Sequence, residues 1–191
     1  MIDLEPASRR MIELLAGVTD DQLAGPTPCA AFTVGGLIDH VDQASQQFAA
    51  LAGYRPPEPV GDSGPAGDGS PRPARFGPGW RDQVGGHVRA LAVAWDDPVA
   101  WQGSTGAGDV ELSNERWGMI ALTELVVHGW DLARGTGQPF ALPDDTLRAC
   151  LDHVAEFVPE APFPDLWGPP VDVAADASVL DQIVAITGRT P

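Results

Sequence analysis

One segment in the second half of the chain, residues 113–134, constrains the fold more than any other. It is apolar on nearly every face of a helix, yet it carries Glu124, His128 and Asp131 within a sector of about 60°. A helix that is apolar all round lies in a protein core, and a carboxylate buried there is costly unless it is paired, protonated or bound to metal. The segment is therefore predicted to be a core helix whose acidic groups need a specific partner.

The charge of the chain excludes several kinds of chemistry and several classes of binding partner. Eleven cationic residues face 27 carboxylates, which gives a formal net charge of −16, and every cation is an arginine. Without lysine, the chain can form neither a Schiff base nor a phosphate-binding P-loop. So acidic a surface repels nucleic-acid phosphates and anionic membranes, and the glycine patterns that bind pyrophosphate are absent. We therefore expect no nucleic acid, no membrane and no nucleotide as a partner.

The apolar content and the cysteines limit the class further. Hydrophobic residues make up 43% of the 191 residues, enough for one core, but no apolar run reaches the ~20 residues of a membrane span. The acidic start does not resemble a secretory signal, so we expect a cytoplasmic protein. Cys29 and Cys150 belong to no CxxC pair, which excludes a cysteine-based structural zinc site, and each is interpreted as a small buried residue.

Hydrophobic residues recur at helical spacing along most of the chain, which predicts an all-α protein. The predicted helices cover residues 4–16, 34–51, 79–95, 113–134, 143–158 and 179–186. Asp3 is expected to cap the first helix and Gly135 to end the fourth. A short hairpin fits residues 101–112, and the Pro/Gly-rich residues 53–78 are expected to form a loop between the second and third helices. The pattern is typical of four helices around one core with a small C-terminal addition.

The ionisable stripe of the fourth helix suggests a metal site. Glu124 and His128 are four residues apart, so a helix projects both groups toward one point, and their donor atoms are ligands of first-row divalent metals. His40, at the edge of the apolar stripe of the second helix, is the third candidate ligand. Three protein ligands leave one coordination position open for water or substrate, as in catalytic sites.

The same groups have ordinary structural interpretations. His40 can bond a backbone carbonyl in the core, and Glu124 and His128 can form an ion pair with each other. Asp131 is expected to orient a ligand, or to pair with Arg134, rather than to coordinate the metal.

Four further residues are weaker candidates. His87 is expected to be structural and His153 solvated. Arg81 flanks the apolar face of the third helix and is a candidate to bind a substrate carboxylate, although surface solvation is its ordinary role. Cys29 precedes a helix start, where a thiol pKa can fall, but we interpret it as a packing residue of the turn.

Two runs of the chain carry specific motifs. The first reads TPCAAFTV over residues 27–34 and continues LIDHV over residues 37–41, and the second reads ALTELVVHGWDLAR over residues 121–134. Together they resemble the two hallmarks of the mycothiol-dependent maleylpyruvate isomerase metal-binding family, a branch of the DinB-like group. The tail over residues 167–189 is similar to that of a short actinobacterial branch.

The resemblance implies a fold and a ligand set. It implies a DinB-like antiparallel four-helix bundle over residues 1–137, with a metal in its core, and a C-terminal helix and extension packed on the bundle over residues 138–191. The ligands that it implies are His40, Glu124 and His128. Zinc is the first expectation for the single divalent ion, and nickel, iron and manganese are the alternatives.

The resemblance also implies chemistry with a low-molecular-weight thiol. Members use a metal-activated thiol, mycothiol in actinobacteria, to isomerise or alkylate small electrophiles, because a metal-bound thiol is deprotonated at neutral pH. The expected function is an S-transferase or a cis–trans isomerase, and the alternative is a non-catalytic metal or small-molecule binding module of the same fold. The isomerase has a longer C-terminal domain than this chain, so maleylpyruvate itself does not follow as the substrate. Bundles of this group often dimerise, which makes a homodimer a further expectation.

Overall fold

Helices make up most of the described chain, in agreement with the all-α prediction. The computed structural model describes residues 1–55, 76–161 and 167–191. The helices are α1 (Glu5–Gly17), α2 (Val34–Leu51), α3 (Trp80–Asp96), α4 (Asn114–Thr136), α5 (Asp144–Phe157) and α6 (Val179–Ile186), with 3₁₀ turns at Asp20–Gln22, Pro98–Trp101 and Val158–Glu160. Strands β1 (Ser104–Ala107) and β2 (Val110–Ser113) pair antiparallel, which confirms the predicted hairpin. Most of the predicted loop over residues 53–78 lies outside the described residues.

Hydroxyl caps start the two helices that matter most for the site. The Thr33 side chain accepts a hydrogen bond from the Gly36 backbone N–H at 3.2 Å, and α2 begins at the next residue. The Ser113 hydroxyl accepts from the Arg116 backbone N–H at 3.3 Å and starts α4 in the same way. Each cap satisfies one of the backbone donors that a helix start leaves free. Both helices therefore begin close to residues 34 and 113, where the helical spacing predicts their starts.

Two predicted helix ends are wrong. Leu4, not Asp3, is the N-cap of α1, and the Asp3 carboxylate instead accepts from the Glu5 backbone N–H at 2.8 Å. α4 continues past Gly135 and is ended by Gly137, which takes the left-handed conformation at φ +70°. A glycine suits that conformation because it has no Cβ.

The fourth helix lies in the middle of the packing. α4 contacts α1, α2 and α5, while α3 contacts α1 and α2, and α6 packs on α5. Every residue from Ile120 to Ala133 is buried, as the apolar pattern predicts. Within the described ranges, no helix is both long enough and apolar enough to cross a membrane.

Close packing of α4 makes Gly118 a sensitive position. A Cβ added there would come within 2.7 Å of the Trp101 ring and 2.9 Å of the Trp95 ring. These two indoles lie edge to face with centroids 5.1 Å apart and are themselves buried, so they have little room to move. Gly118→Ala is therefore expected to lower the free energy of unfolding by about 1–3 kcal/mol in urea denaturation.

Gly86 on α3 supplies the matched control for that substitution. Nothing in the described part of the chain lies within 4 Å of a Cβ added at Gly86. Gly86→Ala is expected to raise stability by about 0.4–1 kcal/mol, because it reduces the freedom of the unfolded chain without a clash. Equal effects of the two substitutions would contradict the packing of Gly118 against the indoles.

Candidate metal centre

Two helices bring the three predicted ligands to one place. α2 carries His40, and α4 carries Glu124 and His128 on successive turns of one face. The Glu124 carboxylate oxygen Oε2 lies 2.9 Å from His40 Nε2 and 3.3 Å from His128 Nε2. One ligand atom of each residue lies within 4.8 Å of the other two. Both imidazoles therefore present Nε2 to the same carboxylate oxygen, in a group that can hold a metal ion.

An aromatic ring holds the imidazoles in this arrangement. Phe32, in the turn before α2, stacks on His40 with ring centroids 5.1 Å apart and an interplanar angle of 22°. The His128 ring stands nearly perpendicular to that of His40, at 81° and 4.8 Å. Stacking against Phe32 limits rotation of the His40 ring, which favours a preformed arrangement of donors.

The triad lies between the core and a cavity. The side chains of Glu124 and His128 are 9% and 6% exposed, whereas that of His40 is 32% exposed. A cavity of about 490 Å³ opens over the two histidines. Its lining comes from the turn before α2, from the two histidines and from the C-terminal segment: Pro28, Cys29, Ala30, Ala31, Phe32, His40, His128, Gly168, Pro169, Thr187, Gly188 and Arg189. A small molecule in this cavity would reach the histidine edge of the triad.

The protonation states of the buried pair depend on each other. Burial by itself would raise the pKa of Glu124, but the neighbouring His128 and His40 hold that pKa well below its usual range. Burial by itself would lower the pKa of His128, but the Glu124 and Asp131 carboxylates raise it to about 9. In the metal-free protein, Glu124 and His128 therefore form an ion pair at neutral pH. A metal ion would take the place of the His128 proton, since an imidazole must be neutral to bind it.

A second carboxylate and an arginine lie behind His128. Asp131 is fully buried, and its Oδ2 is 3.0 Å from His128 Nδ1, the ring nitrogen away from Glu124. Arg189 donates to the same carboxylate from Nη2 at 2.8 Å and from Nε at 3.3 Å. The alternative that Asp131 pairs with Arg134 is wrong, because the Arg134 guanidinium lies over the Trp130 ring at 5.6 Å.

The other candidate residues lie elsewhere or have other partners. Arg81 donates to the Val18 carbonyl at 2.7 Å and to Asp20 at 2.7 Å, and it is not part of the cavity wall. Burial raises the pKa of the Cys29 thiol, so this cavity-lining cysteine is not an activated nucleophile in the metal-free protein.

The remaining histidines are separate from the triad. His87 Nδ1 lies 2.6 Å from the Asp42 carboxylate and so links α3 to α2. His153 is not solvated as predicted: it is half-buried, it stacks on Phe157 at 5.0 Å, and burial lowers its pKa to about 4. Phe157 lies four residues after His153 on the same helix, so the helical spacing was a usable signal for this contact and the prediction missed it.

Arg189 and Phe32 are two residues of the site that the sequence did not lead us to propose. Phe32 occupies the aromatic position of the first motif, so the motif itself was a usable signal. Arg189 is 58 residues from Asp131 in the chain and follows α6 in a short tail, and no spacing rule connects the two. The available signal was the shortage of cations: a buried Asp131 needs one, and the chain has only eleven to offer.

The fold and the site together define a class of helical proteins in which two packed helices supply a His/Glu/His group beside a ligand-sized cavity. Comparison with known families identifies the class: residues 4–133 match the mycothiol maleylpyruvate isomerase N-terminal domain. The chain belongs to this family. The resemblance of the two motifs is thereby confirmed.

Relatives of similar length are found in mycobacteria. Two uncharacterized proteins of Mycobacterium tuberculosis, from strains CDC 1551 / Oshkosh and ATCC 25618 / H37Rv, are each 31% identical over 186 residues, covering 93% of this chain and 90% of their own. The similarity therefore continues past the family domain into the C-terminal segment. No solved structure matches the chain.

Proposed function

We propose that this protein binds one divalent metal ion through His40, Glu124 and His128 and uses it to activate a low-molecular-weight thiol, mycothiol in the first instance. The thiolate would act on a small electrophilic substrate by S-transfer or by cis–trans isomerisation. The observation that carries the proposal is the meeting of two imidazole nitrogens and one carboxylate oxygen within 4.8 Å at the edge of a cavity. The chemistry of these donors suits zinc first, with nickel, iron or manganese as alternatives.

The surroundings of Asp131 support an open coordination position. Its carboxylate contacts the Nδ1 side of His128, whereas Glu124 contacts the Nε2 side. Asp131 would have to leave both His128 and Arg189 to become a fourth ligand. A closed structural zinc site uses four protein ligands, so three donors with a cavity above them favour an exogenous ligand in the fourth position.

The charge at the site favours an anionic ligand there. With both imidazoles neutral, a divalent ion adds two positive charges to a region that holds the Glu124 and Asp131 carboxylates and the Arg189 guanidinium. One positive charge then remains unbalanced, and a thiolate would neutralise it. The chemistry that the metal supplies when bound is a lowered thiol pKa, which creates a nucleophile at neutral pH.

The cavity also suits a thiol with a small second substrate. Its volume of about 490 Å³ lies within the range of small-molecule sites, and much of its wall is apolar, including Phe32 and Pro169. Apart from the two histidines, its polar lining residues Thr187 and Arg189 are buried and hydrogen-bonded within the protein, so the wall offers few groups to anchor a ligand. We therefore place both substrates in this one cavity. A cytoplasmic location fits a partner thiol of this kind.

Metal analysis of untagged protein, prepared without chelators, tests the first part of the proposal. Mass spectrometry is expected to find about one equivalent of a divalent metal per chain, since the three donors form one site. Cobalt substitution tests the second part, because thiolate coordination to cobalt adds a charge-transfer band in the near ultraviolet. Mycothiol is expected to produce this band in the wild-type protein. Glu124→Gln should abolish the band, because it replaces the anionic carboxylate ligand by a neutral amide of nearly the same volume.

Turnover separates an enzyme from a binding module. The mycothiol-loaded protein would be offered alkylating electrophiles such as bimane reagents, and cis enone acids such as maleylpyruvate. Faster consumption than with Glu124→Gln supports catalysis. Metal and thiol binding with no turnover of any electrophile would favour the non-catalytic module, and absence of metal after reconstitution would overturn the whole proposal.

A further inference from the structure

The C-terminal tail contributes a buried arginine to the base of the metal centre. Asp131 is fully buried, and its carboxylate receives two hydrogen bonds from the Arg189 side chain, at 2.8 and 3.3 Å. The Arg189 side chain is itself only 6% exposed. A guanidinium that donates two hydrogen bonds to one carboxylate fixes both the position and the plane of that carboxylate.

The fixed carboxylate acts on one nitrogen of His128. Asp131 Oδ2 lies 3.0 Å from His128 Nδ1, so that nitrogen donates its proton to the carboxylate. The neutral ring then has its lone pair on Nε2, which is the nitrogen that lies 3.3 Å from Glu124. A carboxylate in this position selects the tautomer and the ring orientation that a metal ion needs.

We propose that Arg189 is a positioning residue of the metal centre: it holds Asp131 in the orientation that turns His128 Nε2 toward the ligand position. The inference rests on the proposed metal site and goes beyond it, because Arg189 lies outside residues 4–133, the part of the chain that matches the family domain. The tail then helps to position a metal ligand, although the three ligands themselves all come from α2 and α4.

The tail is built to deliver this side chain. After α6, the Thr187 hydroxyl donates to the Ile183 carbonyl, and the Arg189 backbone N–H donates to the Val184 carbonyl at 2.8 Å. Gly188 turns the chain at φ +84°, so close to Gly168 that an added Cβ would meet its Cα at 2.6 Å. The guanidinium also donates from Nη1 to the Thr187 carbonyl at 2.7 Å. Backbone and side chain are thus both fixed before any ligand binds.

Asp131 pairs with the distant Arg189 and not with the arginine nearest to it in the chain. Arg134 is only three residues from Asp131 on the same helix, yet its guanidinium lies over the Trp130 ring instead. Arg134 is exposed, whereas Arg189 is buried. The contact therefore depends on how the tail folds back onto α4 and not on local helix geometry.

Zinc affinity of folded protein tests the proposal. Arg189→Met is expected to weaken zinc binding about 10–100-fold, the usual effect of removing a group that orients a metal ligand. Arg189→Lys keeps the charge but not the paired hydrogen bonds, so it should recover only part of the loss. Arg134→Met is the matched control, and its zinc affinity should equal that of the wild type.

A double-mutant cycle shows whether Arg189 acts through Asp131. Asp131→Asn should weaken zinc binding by a similar factor, and the double variant Asp131→Asn/Arg189→Met should bind no more weakly than Asp131→Asn alone. Losses that multiply, or wild-type affinity in Arg189→Met, would overturn the proposal. Long-range ¹⁵N spectra of the zinc-bound protein give an independent readout, because the ring nitrogen of His128 that keeps its proton, Nδ1 in the wild type, should change at least in part in Arg189→Met and stay unchanged in Arg134→Met.

Two further measurements keep the outcomes distinct. Ser178→Ala removes the hydroxyl cap of α6, which accepts from the Asp181 backbone N–H at 3.1 Å, without touching Arg189 or Asp131, so it should lower thermal stability and leave zinc affinity unchanged. Equal weakening of zinc binding in Ser178→Ala would show that the stability of the C-terminal segment alone matters and would overturn the positioning role. Wild-type protein that binds no zinc would refute the proposed metal site itself. Equal zinc affinity of the wild type and Arg189→Met would refute only the role of Arg189.

Discussion

Replacing His128 by alanine is expected to abolish stoichiometric metal binding. His128 Nε2 is one of only three donor atoms in the described His/Glu/His group, and it is the most buried imidazole there. Loss of a direct ligand should weaken binding by more than the about 10–100-fold that an orienting residue accounts for. Metal content per chain, measured after purification without chelators, checks the expectation.

The same substitution should also destabilise the metal-free protein. Glu124 is only 9% exposed and would retain His40, at 2.9 Å, as its one imidazole contact within the triad. Removing one partner of a buried ion pair costs about 3–5 kcal/mol, because the other charge stays behind in the core. Urea denaturation should show this loss while the circular dichroism remains helical.

His153→Ala is the matched control. His153 is a half-buried histidine on α5, a helix that contacts α4, but it stacks on Phe157 and is not part of the triad. It should therefore keep a full equivalent of metal. If His128→Ala keeps as much metal as His153→Ala, the ligand set proposed here is wrong.

The core of the site was predictable because its signals are local. Glu124 and His128 are one helical turn apart, and the apolar residues around them already indicate burial. His40 is 84 residues from Glu124, and its position on an apolar stripe made it a candidate without establishing contact. The resemblance of two motifs joined these separate signals, and the structure brings the side chains to within hydrogen-bonding distance.

What the sequence did not predict depends on tertiary packing. Gly135 and Gly137 are equally able to end a helix by composition, but Gly135 lies against the Pro26 carbonyl and stays helical. The partner of Asp131 had a nearby candidate in Arg134, whereas the actual partner comes from a tail held by α6. Helix periodicity contains no information about which distant segment folds over a given face, so such contacts require the structure.

Metal affinity and metal-free stability are expected to change with pH in opposite directions. His128 has a pKa of about 9 in the metal-free fold, above the ~6.5 of an unfolded chain. The stability that its ion pair contributes is therefore fully present below about pH 6.5 and is lost as the pH rises through 9. Glu124, whose pKa is lowered, adds stability that is present above about pH 4.3 and is lost in acid. For this pair, metal-free protein is most stable between these two limits.

Metal binding reverses the trend, because it displaces the His128 proton. Below the pKa of about 9, zinc affinity should rise roughly tenfold per pH unit, or roughly 100-fold between pH 6 and 8. Calorimetric titrations corrected for buffer ionisation would measure this slope, and urea denaturation of the metal-free protein would measure the opposite one. His128→Gln, which has no titrating ring, should lose the decline in stability above pH 6.5. Its acid-side loss should also become smaller, because His128 does more than His40 to lower the pKa of Glu124. Zinc affinity that is independent of pH over this range would mean that no proton leaves His128 when the metal binds. The proposal that His128 Nε2 is a metal ligand would then be wrong.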